Sequence, residues 1–198
     1  MSNAIIDQAD SIRRRVVSLP EKPRLILAIA AAQRLMDEYL ELPEESREPF
    51  TATLVDLVSK LGAAITQPSK ELDRELDSKL KEYNAGPYSY ELGEEALPGS
   101  DDDAASAAIY AAEAYCTDDK EAAAFAAMQL FHATSNKVGA MCVAQGIDEM
   151  SKEADQLRFQ AEQNELDRLA NAVSFLERQE FTETTLQSVI TILKGKRI

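Results

Sequence analysis

Few residues of this chain could support catalysis, and the search for them begins with a single histidine. Because His132 is the only histidine, iron sites built on paired Glu-x-x-His motifs and His-Glu-x-x-His zinc sites are excluded. A cysteine–histidine dyad would require His132 together with Cys116 or Cys142, the two cysteines of the chain. His132 continues the apolar line of Phe125 and Met128, which predicts a core histidine hydrogen-bonded to a neighbour rather than a general base. The cysteines have no paired spacing, so we interpret both as core residues without a disulfide.

Two acidic runs are the most informative polar feature of the chain. Residues 37–48 carry six acids and one base, and residues 91–103 carry six acids and no base. If the two runs lie side by side, they form a negative surface suited to a basic protein partner. If they lie apart, they are ordinary charges of helix ends and loops. The residues of this predicted partner surface are Asp37, Glu38, Glu41, Glu44, Glu45, Glu91, Glu94 and Glu95.

No motif for a cofactor or a metal ion is present in the sequence. The chain has no glycine-rich phosphate-binding loop of the Walker or dinucleotide type and no Gly-x-Ser-x-Gly elbow. Asp101 to Asp103 could attract Mg²⁺ or Ca²⁺, but consecutive residues at a helix start point in different directions. Helix capping by Ser100 with Asp103, and a favourable interaction with the helix dipole, explain this run. The sequence therefore predicts neither a cofactor nor a metal site.

Charge and hydropathy argue against nucleic-acid and membrane partners. The formal net charge is −14, which repels phosphate over most of the surface. Arg13 to Arg15 spread around a helix and make a poor phosphate-binding face, so we interpret them as solvated charges and internal ion pairs. The longest apolar run, residues 25–32, is far shorter than the ~20 residues that span a bilayer. These features predict a cytoplasmic protein.

Helical periodicity recurs along most of the chain and predicts an all-α, single-domain bundle of about seven or eight helices over residues 1–198. Proline and glycine interrupt the pattern at an irregular loop, at about residues 84–100. The second helix is apolar around most of its circumference, and the fifth and sixth are rich in alanine. We therefore expect these three to be the most buried, with the fifth and sixth forming a tight antiparallel hairpin. The predicted helices cover residues 5–19, 24–42, 46–65, 72–83, 104–115, 122–144, 148–179 and 182–194, and residues 20–23 are predicted to form a turn.

Two finer predictions concern helix starts and the long seventh helix. Asp118 with Glu121 resembles a capping pair that opens the sixth helix. In the seventh helix, an apolar stripe begins at Met150, stops over residues 160–165 and resumes at Leu166. Either this helix bends at the interruption, or its two halves face different neighbours.

Three stretches resemble one family of bacterial proteins. They are residues 19–35 (LPEKPRLILAIAAAQRL), the acidic run before residues 107–114 (AAIYAAEA), and the glutamate- and arginine-rich residues 165–178. In this layout the chain resembles the YjaG-like proteins, which are domain of unknown function 416, over nearly its whole length. It departs from them in having no tryptophan and in placing Gln33 before Arg34. The resemblance implies an all-helical cytosolic fold with no known activity, and it transfers no catalytic residues.

Several functions are compatible with these observations. Because no catalytic constellation accompanies the acidic runs, we favour a non-enzymatic protein-binding or scaffold domain. An alternative is an acidic inhibitor of the immunity type that neutralises a basic toxin or nuclease. A third is an enzyme that uses carboxylates and tyrosines, including Tyr88 and Tyr90, in a pocket near the 84–100 loop. A homodimer formed through the exposed half of the long helix is also compatible.

Overall fold

Eight α-helices form a bundle in the computed structural model, within the residues it describes: 3–47, 50–85, 100–182 and 184–195. No β-strand occurs in those ranges. This confirms the predicted all-α fold. A short 3₁₀ turn, Glu44–Ser46, lies between the second and third helices. The helices are α1 Asn3–Ser18, α2 Glu21–Tyr39, α3 Thr51–Thr66, α4 Lys70–Ala85, α5 Ser100–Thr117, α6 Lys120–Gln145, α7 Lys152–Leu176 and α8 Thr185–Leu193.

Helix α2 lies at the centre of the main core, which draws buried side chains from all eight helices. It packs against α3, α5, α6 and α8, and buried residues occupy most of its circumference. Helices α5 and α6 pack against each other and against α2. Their alanines are among the least exposed of the described residues. The predicted tight hairpin requires this, because small side chains let the two helix backbones approach closely. The fully buried alanines of the two helices include Ala107, Ala108, Ala111, Ala112, Ala123, Ala124, Ala126 and Ala127.

Several predicted helix limits were wrong by a few residues. Helix α2 begins at Glu21 and includes Pro23, which is tolerated because the first turn needs no backbone N–H donor. Asp119, not Asp118, caps α6, and its carboxylate accepts from the backbone N–H of Glu121 at 2.8 Å. Asp118 instead adopts a left-handed conformation with φ 53° that ends α5.

Helix α7 begins later than its sequence pattern predicted. Gly146, with φ 67°, ends α6, and Ser151 caps α7 by accepting from the backbone N–H of Ala154 at 3.1 Å. Met150 therefore lies in the turn before the helix, where 89% of its surface is exposed. The prediction that Met150 begins the buried stripe was wrong.

The two halves of α7 contact different cores, which decides between the two alternatives for the interruption. The first half joins the end of α6 in a small second cluster built on Val138, Cys142 and Ala154. The second half contributes Leu166 and Leu169 to the main core. We call residues 138–161, which contain this second cluster, the α6–α7 arm.

Candidate functional site

The acids at the end of α2 are committed to internal ion pairs. Asp37 accepts from Lys194 Nζ at 2.8 Å. Glu38 accepts from Arg34 Nε at 2.8 Å and also contacts Lys137 Nζ. Burial alone would raise the pKa of Glu38, but the hydrogen bond from Lys137 and the charge of Arg34 lower it overall. These two members of the predicted partner surface therefore act mainly inside the fold.

The acids that follow α2 are placed differently. Glu41, Glu44 and Glu45 are exposed, and none forms an ion pair with another residue in the described ranges. They concentrate negative charge on and next to the short 3₁₀ turn, which includes Glu44 and Glu45. The remaining predicted members, Glu91, Glu94 and Glu95, lie outside the described residues. Whether the two acidic runs meet therefore stays a prediction.

An open groove of about 670 Å³ lies beside these exposed acids. One wall is the outward face of α3, formed by Ala52, Val55, Asp56 and Ser59, which recur at helical spacing. The opposite wall belongs to the α2–α3 connection, and its lining residues are Leu40, Glu44 and Arg47, with Thr51 at the junction. Leu40 and Val55 pack against the main core, so the groove has a fixed apolar floor.

Arg47 holds this connection in place and does not offer a free cation to the groove. Its guanidinium donates to the carbonyl oxygens of Leu40 and Leu42 at 2.7 Å each. Those carbonyls follow the end of α2, where a positive charge is favourable. A hydrogen bond of 3.2 Å between the hydroxyls of Tyr39 and Thr51 ties the same connection to α3. The groove is therefore preformed, with acidic residues at its edge.

A buried ion pair joins α2 to α7, and sequence reasoning missed it. Arg34 donates from Nη1 and Nη2 to the two carboxylate oxygens of Glu165, at 2.6 and 2.9 Å. Nη1 also donates to the carbonyl oxygen of Leu193 at the end of α8, at 2.5 Å. Burial opposes the charged form of Arg34, but the hydrogen bonds and charges of Glu165 and Glu38 raise its pKa overall.

Three consecutive residues of α6 connect this pair to further polar side chains. We call the whole set the polar band; its members are Arg34, Glu38, Asp103, Ser135, Asn136, Lys137, Glu162 and Glu165. Ser135 donates to Glu162 of α7 at 2.6 Å, and Asn136 donates to Asp103 of α5 at 2.9 Å. Lys137 contacts Glu38 of α2. Successive helix residues point about 100° apart, so one turn of α6 can contact three neighbouring helices. Two features of the sequence could have indicated this polar band. They are the consecutive polar residues 135–137 in α6 and the interruption of the apolar stripe of α7 over residues 160–165.

Within this band Glu162 is a buried carboxylate without a cation. Only 1% of its surface is exposed, and no basic side chain of the described residues lies within ion-pair distance. Replacing Glu162 with glutamine keeps an acceptor for Ser135 and removes a buried charge. We therefore expect Glu162→Gln to leave the free energy of unfolding unchanged or raise it by about 1 kcal/mol. Urea denaturation at neutral pH measures this, and a loss above about 2 kcal/mol would show that the band requires the charge.

Glu38 makes the band sensitive to acid. Because its pKa is lowered in the folded chain, it contributes stability that is present above the ordinary value of 4.5. That contribution is lost as the pH falls through the lower folded value. We expect Glu38→Gln to lower stability at neutral pH and to flatten its decline below pH 4.5. The measurement is the urea midpoint of the native chain and of the Glu38→Gln variant across this pH range. A difference between the two midpoints that stayed constant with pH would contradict the assignment.

The residues for a cysteine–histidine dyad are not arranged for nucleophilic catalysis. His132 is exposed, with its ring edge-on to Phe131 at 5.7 Å, so the prediction of a core histidine was wrong. It lies on the outward side of α6, as does Phe125, which is 42% exposed. Burial and then the carboxylates of Asp77 and Asp73 raise the pKa of the Cys116 thiol, which disfavours the nucleophilic thiolate. Cys142 is fully buried and, like Cys116, is a free thiol.

The arginines of α1 behave as expected from their spacing. Arg13 pairs with Glu121 at 2.7 Å, Arg15 pairs with Glu177 at 2.8 Å, and Arg14 is exposed. No group of three or more His, Cys, Asp or Glu side chains that could hold a metal ion occurs in the described ranges. The side chains of Asp101 and Asp102 lie outside them. No helix in the described part of the chain is long and apolar enough to cross a membrane.

A cavity of about 160 Å³ lies between the end of α4 and α5, next to the predicted 84–100 loop. Its described lining residues are Tyr83, Asn84, Ser106, Ile109 and Tyr110, and none of them carries a carboxylate. Tyr88 and Tyr90, which the enzyme alternative invoked, lie outside the described residues. The described wall thus offers tyrosine and amide groups but no general acid or base of the predicted type.

Among the described residues, the two most exposed large apolar side chains, Met150 and Val143, belong to the α6–α7 arm. Val143 is 64% exposed, and Phe159 on the facing helix is 44% exposed. The first half of α7 is the more exposed half of that helix. Formation of a homodimer stays a prediction.

Comparison with known proteins gives no relative for this chain. No protein-family model matches it, and neither a curated protein nor a solved structure does. The resemblance to the YjaG-like proteins therefore stays a prediction, and function must be argued from the site alone.

Proposed function

We propose that this chain is a non-enzymatic protein-binding domain whose α2–α3 groove receives a basic segment of a partner protein. The proposal rests on one observation: an apolar floor and unpaired acids occur together at this groove. Leu40 and Val55 supply the floor and Glu44 lines the groove, while Glu41 and Glu45 are exposed residues close to it in sequence. By contrast, Asp37, Glu38 and Asp56 are already neutralised by lysine or arginine, although Asp56 also lines the groove.

The two parts of the groove have different roles in binding. An apolar floor of fixed geometry supports affinity, because it buries side chains of the partner without first having to order. Exposed acids at the edge select basic partners and accelerate their association, and this effect weakens as salt is added. The net charge of −14 extends the same attraction over a longer range. A helix or turn with lysine or arginine beside apolar side chains fits this surface.

The experiment compares capture of partners from a lysate of the source cells by three forms of the full chain. The first is the native chain, and the second carries Glu41→Lys, Glu44→Lys and Glu45→Lys. The third is a matched control with Glu149→Lys, Glu153→Lys and Glu180→Lys, three exposed acids remote in sequence from the groove. Both variants change the net charge by the same amount. Bound proteins are eluted across a salt gradient and identified by mass spectrometry.

We expect a basic protein to be captured by the native chain and the control, and to be reduced about tenfold or more by the groove variant. Equal capture by the two charge variants would place the interaction elsewhere and overturn the groove assignment. The same result separates the functional alternatives. An inhibitor of the immunity type would retain a basic toxin or nuclease and abolish its activity, whereas a scaffold would leave its partner active.

A further inference from the structure

The α6–α7 arm has little buried surface of its own. Among residues 138–161, only Val138, Cys142 and Ala154 are buried, and more than half of the residues are exposed. The main core, as far as the structure describes the chain, includes no residue of this stretch. The stability of the arm therefore comes from one small cluster and from the hydrogen bonds of its own helices.

The polar band marks the end of the arm that adjoins the bundle. Ser135 of α6 donates to Glu162 of α7 at 2.6 Å, which joins the two helices just before the arm begins. The next two residues, Asn136 and Lys137, contact α5 and α2. At this level α6 is held by three neighbouring helices, and beyond it α6 and α7 continue as a pair.

Polar contacts between side chains of the arm and the rest of the bundle are missing from the described part of the chain. The ion pair of Arg158 with Asp155 lies inside the arm. So does the hydrogen bond from the backbone of Ala154 to the side chain of Ser151. On the bundle side of the polar band the pattern changes, because Gln163 of α7 donates to Gln8 of α1 at 2.9 Å.

We propose that the α6–α7 arm is a conformational element that opens on its own. Residues 138–161 leave the closed helical pair together, while the main core and the polar band stay folded. Ordering a chain costs conformational entropy at every residue, and three buried side chains offset little of that cost. Local openings of this kind require less free energy than global unfolding. The opening exposes Val138 and Cys142, and it neither requires nor excludes a partner in the α2–α3 groove.

The test uses the thiol of Cys142 as a reporter, because its side chain is fully buried in the closed arm. Alkylation by iodoacetamide is followed in the full chain at several urea concentrations, and peptide mass spectrometry separates Cys142 from Cys116. The reference is Val173→Cys, a fully buried position of the main core on the same helix. We expect Cys142 to react at least about 100-fold faster than the introduced thiol. Its rate should also rise less steeply with urea, because a local opening exposes less surface than global unfolding.

Two glycines in helices provide a matched pair of variants. Gly139 lies in the arm, and a Cβ added there meets nothing within 4 Å. Gly139→Ala should therefore slow the alkylation of Cys142 about fivefold, because alanine favours the closed helix. Gly62 lies in α3, where an added Cβ makes only an ordinary contact of 3.8 Å with Leu186. Gly62→Ala should leave the alkylation of Cys142 unchanged.

Three results would overturn the proposal. The first is equal alkylation rates for Cys142 and the thiol introduced by Val173→Cys. The second is a urea dependence at Cys142 as steep as that of global unfolding followed by circular dichroism, a comparison that also serves if Val173→Cys fails to fold. The third is a rate at Cys142 that does not depend on urea, because this would report motion of that side chain alone.

Discussion

Replacing Glu165 with glutamine should lower the free energy of unfolding at neutral pH by about 3–5 kcal/mol. Glu165 is 2% exposed and accepts two hydrogen bonds from Arg34, which is itself 7% exposed. The amide has one acceptor oxygen and no charge, so Arg34 would remain buried with Glu38 as its only carboxylate partner. The loss of stability comes from a buried guanidinium that no longer has enough negative charge beside it. Urea denaturation monitored by circular dichroism measures the change.

A double substitution distinguishes the worth of the pair from the penalty of breaking it. Arg34→Met alone leaves Glu165 with only Arg168, at 3.2 Å, and should also destabilise the protein strongly. Arg34→Met combined with Glu165→Leu removes both charges and should cost less than either single change. The exposed pair of Arg15 and Glu177 has similar hydrogen bonds, and Arg15→Met should cost only about 0–1 kcal/mol. Equal losses at the buried and exposed pairs would contradict this account.

The buried pair also explains why α8 returns to the centre of the bundle. Arg34 donates to the carbonyl oxygen of Leu193, one of the unpaired carbonyls at the end of that helix. Lys194, the next residue, pairs with Asp37. One stretch of α2 thereby fixes the last described helix through two separate contacts. We infer that the acids of this stretch serve the fold, and that the acids after it are free to serve recognition.

Local features of this fold could be predicted from the sequence, whereas contacts between distant residues could not. Helices are local, so the spacing of apolar residues predicted all eight, and the alanine content of α5 and α6 predicted their close packing. The pairing of Arg34 with Glu165 joins positions 131 residues apart, and no local pattern specifies it. The same limit applies to Asp37 and Glu38, whose partners on α8 and α6 make them poor members of a recognition surface. Glu41, Glu44 and Glu45 have no such partners in the described part of the chain and are exposed.

The wrong prediction that His132 is a core residue has a related cause. Its line with Phe125 and Met128 is apolar in sequence, yet Phe125 and His132 are exposed while Met128 is 6% exposed. In a helix lined by alanine, small residues carry the buried face and give little contrast in hydrophobicity. Phe125 then misleads, because it is 42% exposed although Leu130 and Phe131 of the same helix are buried.

Replacing Ala111 with leucine should test that close packing most severely. Ala111 has no exposed surface and belongs to α5, which packs against both α2 and α6. Three added carbon atoms have no void to enter in an interior of this density, so the helices must separate or the side chain must leave its preferred rotamers. We expect a loss of about 3 kcal/mol or more in the free energy of unfolding, with a lower thermal midpoint.

Two matched substitutions separate volume from helix propensity. Ala63→Leu, at an exposed position of α3, should change stability by less than about 0.5 kcal/mol, because leucine is nearly as good a helix former as alanine. Ala111→Gly removes one carbon and should cost about 1 kcal/mol, mainly through propensity. If Ala111→Leu behaved like Ala63→Leu, α5 would have space beside it, and alanine would not be what brings the three central helices together. A large loss at Ala111 alone would establish that the bundle is specified by the smallness of its central residues as much as by their hydrophobicity.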